Sequence, residues 1–164
     1  MDIRTSEFSE INSQSGTASA VELKIFGVVM EWATTDRMEL LDITERVQEV
    51  IQKSRVSSGF VHLQSLHTTT ALLVNEWQRA LIEDMKEHLS QMVPREGDWR
   101  HNNPQYSDCD RSNADSHLRG MILGQSLSLQ VRQAALILGT WQRILLAEFD
   151  GPRTRSVSVQ AFGI

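Results

Sequence analysis

The chain has 164 residues, of which 40% are hydrophobic, enough for one domain with a substantial core and not comfortably for two. A formal net charge of -5 and a pI near 5.5, without a basic stripe or a lysine-rich tail, argue against nucleic acid as a partner. The lone cysteine, Cys109, excludes an intramolecular disulfide, and no window approaches the roughly 18 apolar residues that span a bilayer. With no signal-peptide pattern at the N-terminus, a cytoplasmic protein without a membrane partner is expected.

Residues 1–20 are rich in Ser, Thr, Glu and Asn, with Ile3, Phe8 and Ile11 as the apolar anchors, and read as a loose or surface-lying segment ahead of a domain over 21–164. From Val21 the sequence alternates, with Val21, Leu23 and Ile25 on one side, and Gly27 suggests a bulge before Val28-Val29-Met30. A second strand is expected over 38–42. Thr44 then caps a helix carrying Val47, Val50, Ile51 and Val56 at steps of three and four, or five at the end, and closing before Gly59.

A strand over 60–66 runs into His67-Thr68-Thr69-Thr70, where consecutive threonines favour an extended backbone up to Asn75-Glu76. Trp77, Ala80, Leu81, Met85, His88 and Leu89 then follow a helical period that Pro94 closes. Residues 95–111 are polar, contain Gly97 and Pro104, and form a long loop of the kind that tends to carry function or motion. A short helix is expected at 118–123, ended by Gly124, and β-structure at 126–131, 135–138, 141–149 and 156–162. Gln133-Ala134 lacks the glycine or asparagine that a tight primed turn prefers, so a different loop is expected there.

The densest polar stretch is Ser112-Asn113-Ala114-Asp115-Ser116-His117-Leu118-Arg119-Gly120. Asn113 or Ser112 reads as a helix cap and Asp115 as a first-turn acid, or Asp115 orients or deprotonates beside His117. Glu76 poses the same choice between capping and site acid. His62, inside a strand, and His88, on a helix face, read as structural. His67, His101 and His117 sit in or next to loops, and three imidazoles from separate elements can hold a metal with a position left for water or substrate, although the gaps from 67 to 101 and from 101 to 117 match no local finger spacing. Cys109, between Asp108 and Asp110, is a poor thiolate because neighbouring negative charge opposes its ionisation. Gly139-Thr140-Trp141-Gln142 reads as a bulge followed by a core tryptophan. Arg153 and Arg155 read as a solvated turn or as forks for phosphate, with Arg111 and Arg119 as further candidates. No dinucleotide fingerprint, phosphate-cradling loop or zinc-protease motif occurs.

Together, His67-Thr68-Thr69 leading to Asn75-Glu76, then 113–119, Leu123-Gly124-Gln125-Ser126, Leu138-Gly139-Thr140-Trp141-Gln142 and 148–153 resemble the YjbQ-like family, often labelled secondary thiamine-phosphate synthase. The resemblance covers 21–162 in one order. It implies an α+β fold: a compact single domain with a β-sandwich-like core of mostly antiparallel strands and two to three helices, assembling as a homotrimer. It also implies a divalent metal ion, zinc foremost, on His67, His101 and His117. Asp115 and Glu76 fall on acidic positions of the family motifs and are assigned catalytic roles, with substrate contacts from Asn113, Arg119, Thr140, Trp141, Gln142 and Arg153. The implied reaction joins hydroxymethylpyrimidine diphosphate to a thiazole phosphate with release of pyrophosphate, so the substrate is small, anionic and phosphorylated. Two other readings of the same residues stay open: a metal-dependent hydrolase of an anionic small molecule, and a non-catalytic trimeric metal- or ligand-binding protein.

Overall fold

The long apolar run before Asp150 becomes a strand buried on both faces, and the rest of the domain is layered around it. In the computed structural model, which describes residues 22–164, the elements run β1 (Lys24–Ala33), β2 (Glu39–Asp42), α1 (Thr44–Ser54), β3 (Ser58–Ser65), β4 (Thr70–Glu76), α2 (Arg79–Met92), a 3-10 turn (Arg100–Asn102), α3 (Ala114–Leu123), β5 (Ser126–Arg132), β6 (Ala135–Leu136), β7 (Gln142–Glu148) and β8 (Thr154–Gly163). Two antiparallel sheets result, a five-stranded one ordered β1-β8-β3-β5-β6, curled as a half-barrel, and a three-stranded one ordered β2-β7-β4. This is an α+β single domain with three helices, the class expected from the sequence. No helix among the described residues is long and apolar enough to cross a membrane.

Strand β7 shows why the core has two parts. Its alternate side chains Ile144 and Leu146 join Val61, Leu63, Val157 and Val159 of the larger sheet and Val47 and Ile51 of α1. The intervening Leu145 and Ala147 point the other way, onto Ile82 and Leu89 of α2. A strand with a period of two but cores on both sides reads as continuous apolar sequence. Each of these fully buried leucine or isoleucine side chains contributes about 1.5–3 kcal/mol relative to exposure.

Several local expectations change. The β1–β8 register runs without interruption from Lys24 opposite Gly163 to Ala33 opposite Thr154, so Gly27 sits in regular pairing and makes no bulge. Thr44 is the first helical residue of α1, not its cap; Asp42 Oδ1 accepts from both its N–H and its hydroxyl, at 2.9 and 2.6 Å. The helix ends at Ser54, and Val56 is buried beyond it. Helix α2 starts at Arg79, two residues after Trp77, because Gln78 caps it by accepting from Leu81 N–H. Helix α3 starts at Ala114, a turn earlier than its apolar residues suggest, and leaves Met121 and Ile122 exposed. The expectation for residues 1–20 falls outside the described residues.

The β5–β6 hairpin is the clearest departure. Arg132 pairs with Ala135, leaving only Gln133 and Ala134 in the loop, with φ of 53° and 56°. This is the tight two-residue turn with both residues left-handed, built without glycine or asparagine. It persists because Ala134 is tied on both sides, its N–H to Ser57 O at 3.1 Å and its carbonyl to Gln48 Nε2 at 2.9 Å. The left-handed conformation is costly for residues with a Cβ, so Gln133→Asn combined with Ala134→Gly is expected to raise unfolding free energy by about 1–2 kcal/mol. Urea unfolding of the two proteins checks this; a loss of stability contradicts it.

Candidate functional site

One open pocket of about 880 Å³ lies where the β3–β4 turn, the long 93–113 loop, the start of α3 and the β7–β8 turn meet. His67, His101 and His117 all line it, together with Thr69, Cys109, Arg111, Asn113, Asp150, Arg153 and Arg155. Residues widely separated in sequence therefore share a single wall.

Helix α3 is brought against the β3–β4 turn by Gly120, where an added Cβ would lie 3.1 Å from Thr70 O and 3.2 Å from Thr68 O. His117, one turn earlier, lines the same pocket as Thr68 and Thr69 of that run. Beneath the helix, Asp115 is wholly buried between Arg37 and Arg119, at 3.1 and 3.0 Å. The Arg119 contact is close in charge but not aligned as a hydrogen bond, since Asp115 Oδ2 has no hydrogen-bond partner. Arg119 is itself 4% exposed and donates to Val93 O at 2.6 Å, so it ties α3 to the end of α2 and lines no part of the pocket. Asp115 likewise touches arginines, not open space.

A second polar layer lies behind His67. Glu148, fully buried on β7, receives both arms of Arg155 from β8, Nη2 to Oε1 at 2.6 Å and Nε to Oε2. Arg155 Nη2 also donates to Thr69 Oγ1 at 2.9 Å, and Glu148 accepts from Asp150 N–H at 2.7 Å. Arg155 is thus committed to Glu148 and Thr69 and is not a spare fork for phosphate. The next residue's backbone, Ser156 N–H, donates to His67 Nε2 at 2.8 Å. An imidazole nitrogen that accepts carries no proton, so the neutral ring has its proton on Nδ1.

Asp150 is the hub of the pocket floor. It accepts from Asn113 Nδ2 at 3.1 Å, Arg153 Nη2 at 3.1 Å and Arg37 Nη1 at 3.2 Å, with Arg111 Nη1 at 3.9 Å. Asn113 occupies the cap position of α3 but makes no side-chain capping bond; its amide serves Asp150 instead, and its Oδ1 is buried without a partner. Arg111, with its side chain 54% exposed, and Arg153, at 34%, present the cations nearest to solvent.

His101, on the 3-10 turn, stands edge-on to His117 with ring centroids 5.0 Å apart and an interplanar angle of 84°, and its Nε2 is buried without a hydrogen-bond partner. An orphaned imidazole nitrogen beside a second imidazole fits a divalent cation. Among the described residues, however, no three His, Cys, Asp or Glu side chains converge as a ligating group as they stand, and His67 Nε2 is occupied by Ser156 N–H. His101 and His117 are the adjacent pair that would hold such an ion, and His67 would join by turning away from that amide.

Burial lowers the pKa of His67, helped by the Arg155 charge, and burial lowers that of His117, helped by His101. Both imidazoles are therefore neutral and ligand-competent near neutral pH. The unfolded chain takes up protons at these positions before the folded chain does, so stability is expected to fall as the pH drops below about 6.5. The Tm compared at about pH 7.5 and about pH 5.5 checks the sign. Replacing both histidines by asparagine is expected to flatten the slope; an unchanged slope contradicts the assignment.

Four of the residues singled out in the sequence lie elsewhere. Glu76 is the last residue of β4 and pairs across with Gln142, the first of β7, at the opposite end of the strand from Thr70. Thr140 and Trp141 precede Gln142 there, and Trp141 is 71% exposed, so it is a surface tryptophan and not the core residue that an apolar strand suggests. Conversely, Arg37, which holds both Asp150 of the pocket and the buried Asp115 behind it, is a supporting residue that sequence reasoning missed: a single arginine in a turn carries no periodic or motif signal.

Over residues 29–164 the sequence matches the family described as "UPF0047 protein YjbQ-like". The chain belongs to this YjbQ-like family. It is similar to a UPF0047 protein of Archaeoglobus fulgidus, 44% identical over 128 residues that cover 78% of this chain and 94% of the relative. It is 36% identical to a UPF0047 protein of Methanothermobacter thermautotrophicus over 143 residues, 87% of this chain and 96% of the relative. Among solved structures, that of a YbjQ-like protein of unknown function from Sulfolobus solfataricus superposes with a TM-score of 0.82 at 32% identity, covering 87% of this chain and all of that one. A conserved protein of the YjbQ family from Clostridium acetobutylicum gives a TM-score of 0.73 at 30% identity, covering 80% of this chain and 96% of that one. No activity is named for any of these YjbQ-like relatives.

Proposed function

We propose that this YjbQ-like protein is a metal-assisted enzyme acting on a small phosphorylated substrate, with a thiamine-phosphate synthase-like transfer as the reaction tested first. The observation that carries the reading is the unpartnered, buried Nε2 of His101 against His117, in a pocket rimmed by Arg111 and Arg153. His101 and His117 would hold a divalent ion, zinc foremost, and His67 would complete the set after rotation. When bound, such an ion supplies Lewis-acid neutralisation of charge on a departing pyrophosphate.

The chain's own groups supply the rest. Arg153 and Arg111 offer planar forks to phosphate oxygens, and a phosphate reaching Asp150 would compete with it for them. Asn113 lines the pocket and would reach an amino or hydroxyl group of the substrate with its Oδ1 after turning its amide off Asp150. Asp115 and Arg119 act from beneath: they fix α3, and with it the position of His117, without touching substrate. The protein is proposed to work as a homotrimer.

The test uses purified protein stripped of metal and reloaded with zinc or another divalent ion, given hydroxymethylpyrimidine diphosphate and thiazole phosphate. Metal-dependent formation of thiamine phosphate is the expected result. Zinc uptake without transfer, but with phosphate released from a phosphoester panel, would replace the transferase by a hydrolase. Zinc uptake with neither activity would leave a binding protein.

A further inference from the structure

The carboxylates at the histidine pocket are all engaged by the chain that carries them. Asp150 is shared among Arg37, Arg153 and Asn113, and Asp115 is buried between two arginines. The acid that the sequence singles out, Glu76, forms no ion pair among the described residues and stands six strand steps beyond Thr70, roughly 20 Å away along β4. With it stand Thr140, Trp141 and Gln142. One chain thus carries two half-sites that cannot meet.

We infer that the site is shared between copies: the corner formed by Glu76, Trp77 and Thr140–Trp141–Gln142 of one chain docks over the histidine pocket of the next. This rests on the reading of that pocket as the functional site. Two observations and a symmetry argument favour a second copy as the occupant. The corner exposes two tryptophans, Trp141 at 71% and Trp77 at 46%, on adjacent strand ends, and tryptophan is the side chain most enriched at the centres of protein interfaces. The pocket mouth offers the matching surface, with half-exposed Leu66 beside Arg111 and Arg153, so apolar faces apolar and Glu76 faces cations. Corner and pocket are different surfaces of one chain, so their contact is heterologous and closes into a ring when the rotation permits, as a three-fold assembly does. Docked in this way, Glu76 brings the pocket a carboxylate from the next chain, set against Arg111 and Arg153, and Trp141 supplies a wall that excludes water.

The native Cys109, in the pocket wall, serves as a probe of the arrangement. Trp141→Cys, and separately Thr140→Cys, place a second thiol at the exposed corner, where substitution does not disturb the core. Treated with a short bismaleimide, each variant is expected to give a covalent ladder on denaturing gels that ends at the closed ring and vanishes when Cys109→Ser is added. Sedimentation is expected to show wild-type protein as a small ring and Trp141→Ala shifted towards monomer. A monomeric wild type, or an oligomer whose cross-links do not depend on Cys109, overturns the shared site. Zinc uptake by the same samples separates the two claims, because it depends on His101 and His117: uptake without cross-linking removes only the sharing, and cross-linking without uptake removes only the metal.

Discussion

Glu148→Gln is expected to cost about 3–5 kcal/mol of folding stability, because it leaves the buried Arg155 guanidinium without its counter-charge. The side chain has no access to water, and it holds Arg155 on two arms while accepting from Asp150 N–H. Glutamine keeps the shape but turns one accepting oxygen into a donor that faces N–H groups. Arg155 also holds Thr69, and its strand neighbour Ser156 holds His67, so the damage is expected to reach the pocket as well. Urea unfolding with an unchanged m-value reads the stability loss. A loss below about 1 kcal/mol would mean that the pair is no more than an exposed salt bridge. The double variant Glu148→Leu with Arg155→Met removes both charges and is expected to recover part of the loss.

His101→Ala and His117→Ala are each expected to lower zinc affinity by well over 100-fold, since losing a group that merely orients a ligand already costs 10–100-fold. Equilibrium dialysis reads the affinity, and circular dichroism shows whether the fold survives. Both side chains are partly exposed pocket-lining residues, so truncation is expected to leave the domain folded. His62→Ala is the matched control: its ring bonds Ser128 across β3 and β5 and lines no part of the pocket, and zinc affinity is expected to stay as in the wild type. Equal affinity in all three variants would place the ion elsewhere.

The fold was legible wherever burial imposes a period. The β7 run, the helical spacing of Val47, Val50 and Ile51, and the alternation of β8 all follow from which side chains face a core. It was not legible where tertiary contact overrides local preference. Gln133 and Ala134 hold left-handed conformations because Ser57 and Gln48 tie the turn, and neither partner is a sequence neighbour. Trp141 has the composition of a core residue and the position of a surface one. The pocket shows the same division. Histidines on or beside loops pointed to residues that do share a wall, while the roles of Asp115 and Arg119 as struts depend on burial that spacing does not encode. Glu76 and Thr140–Gln142 stand together as their motifs suggest, but at a different end of the chain's own sheet.

The most direct measurement of the central claim is a zinc-edge anomalous difference map from crystals of the protein loaded with zinc. A single strong peak per chain about 2.0–2.1 Å from ring nitrogens of His101 and His117 is the predicted result, with His67 rotated off Ser156 N–H to join them. A map with no peak in this pocket, or with zinc bound only by surface residues such as His62 or His88, would contradict it.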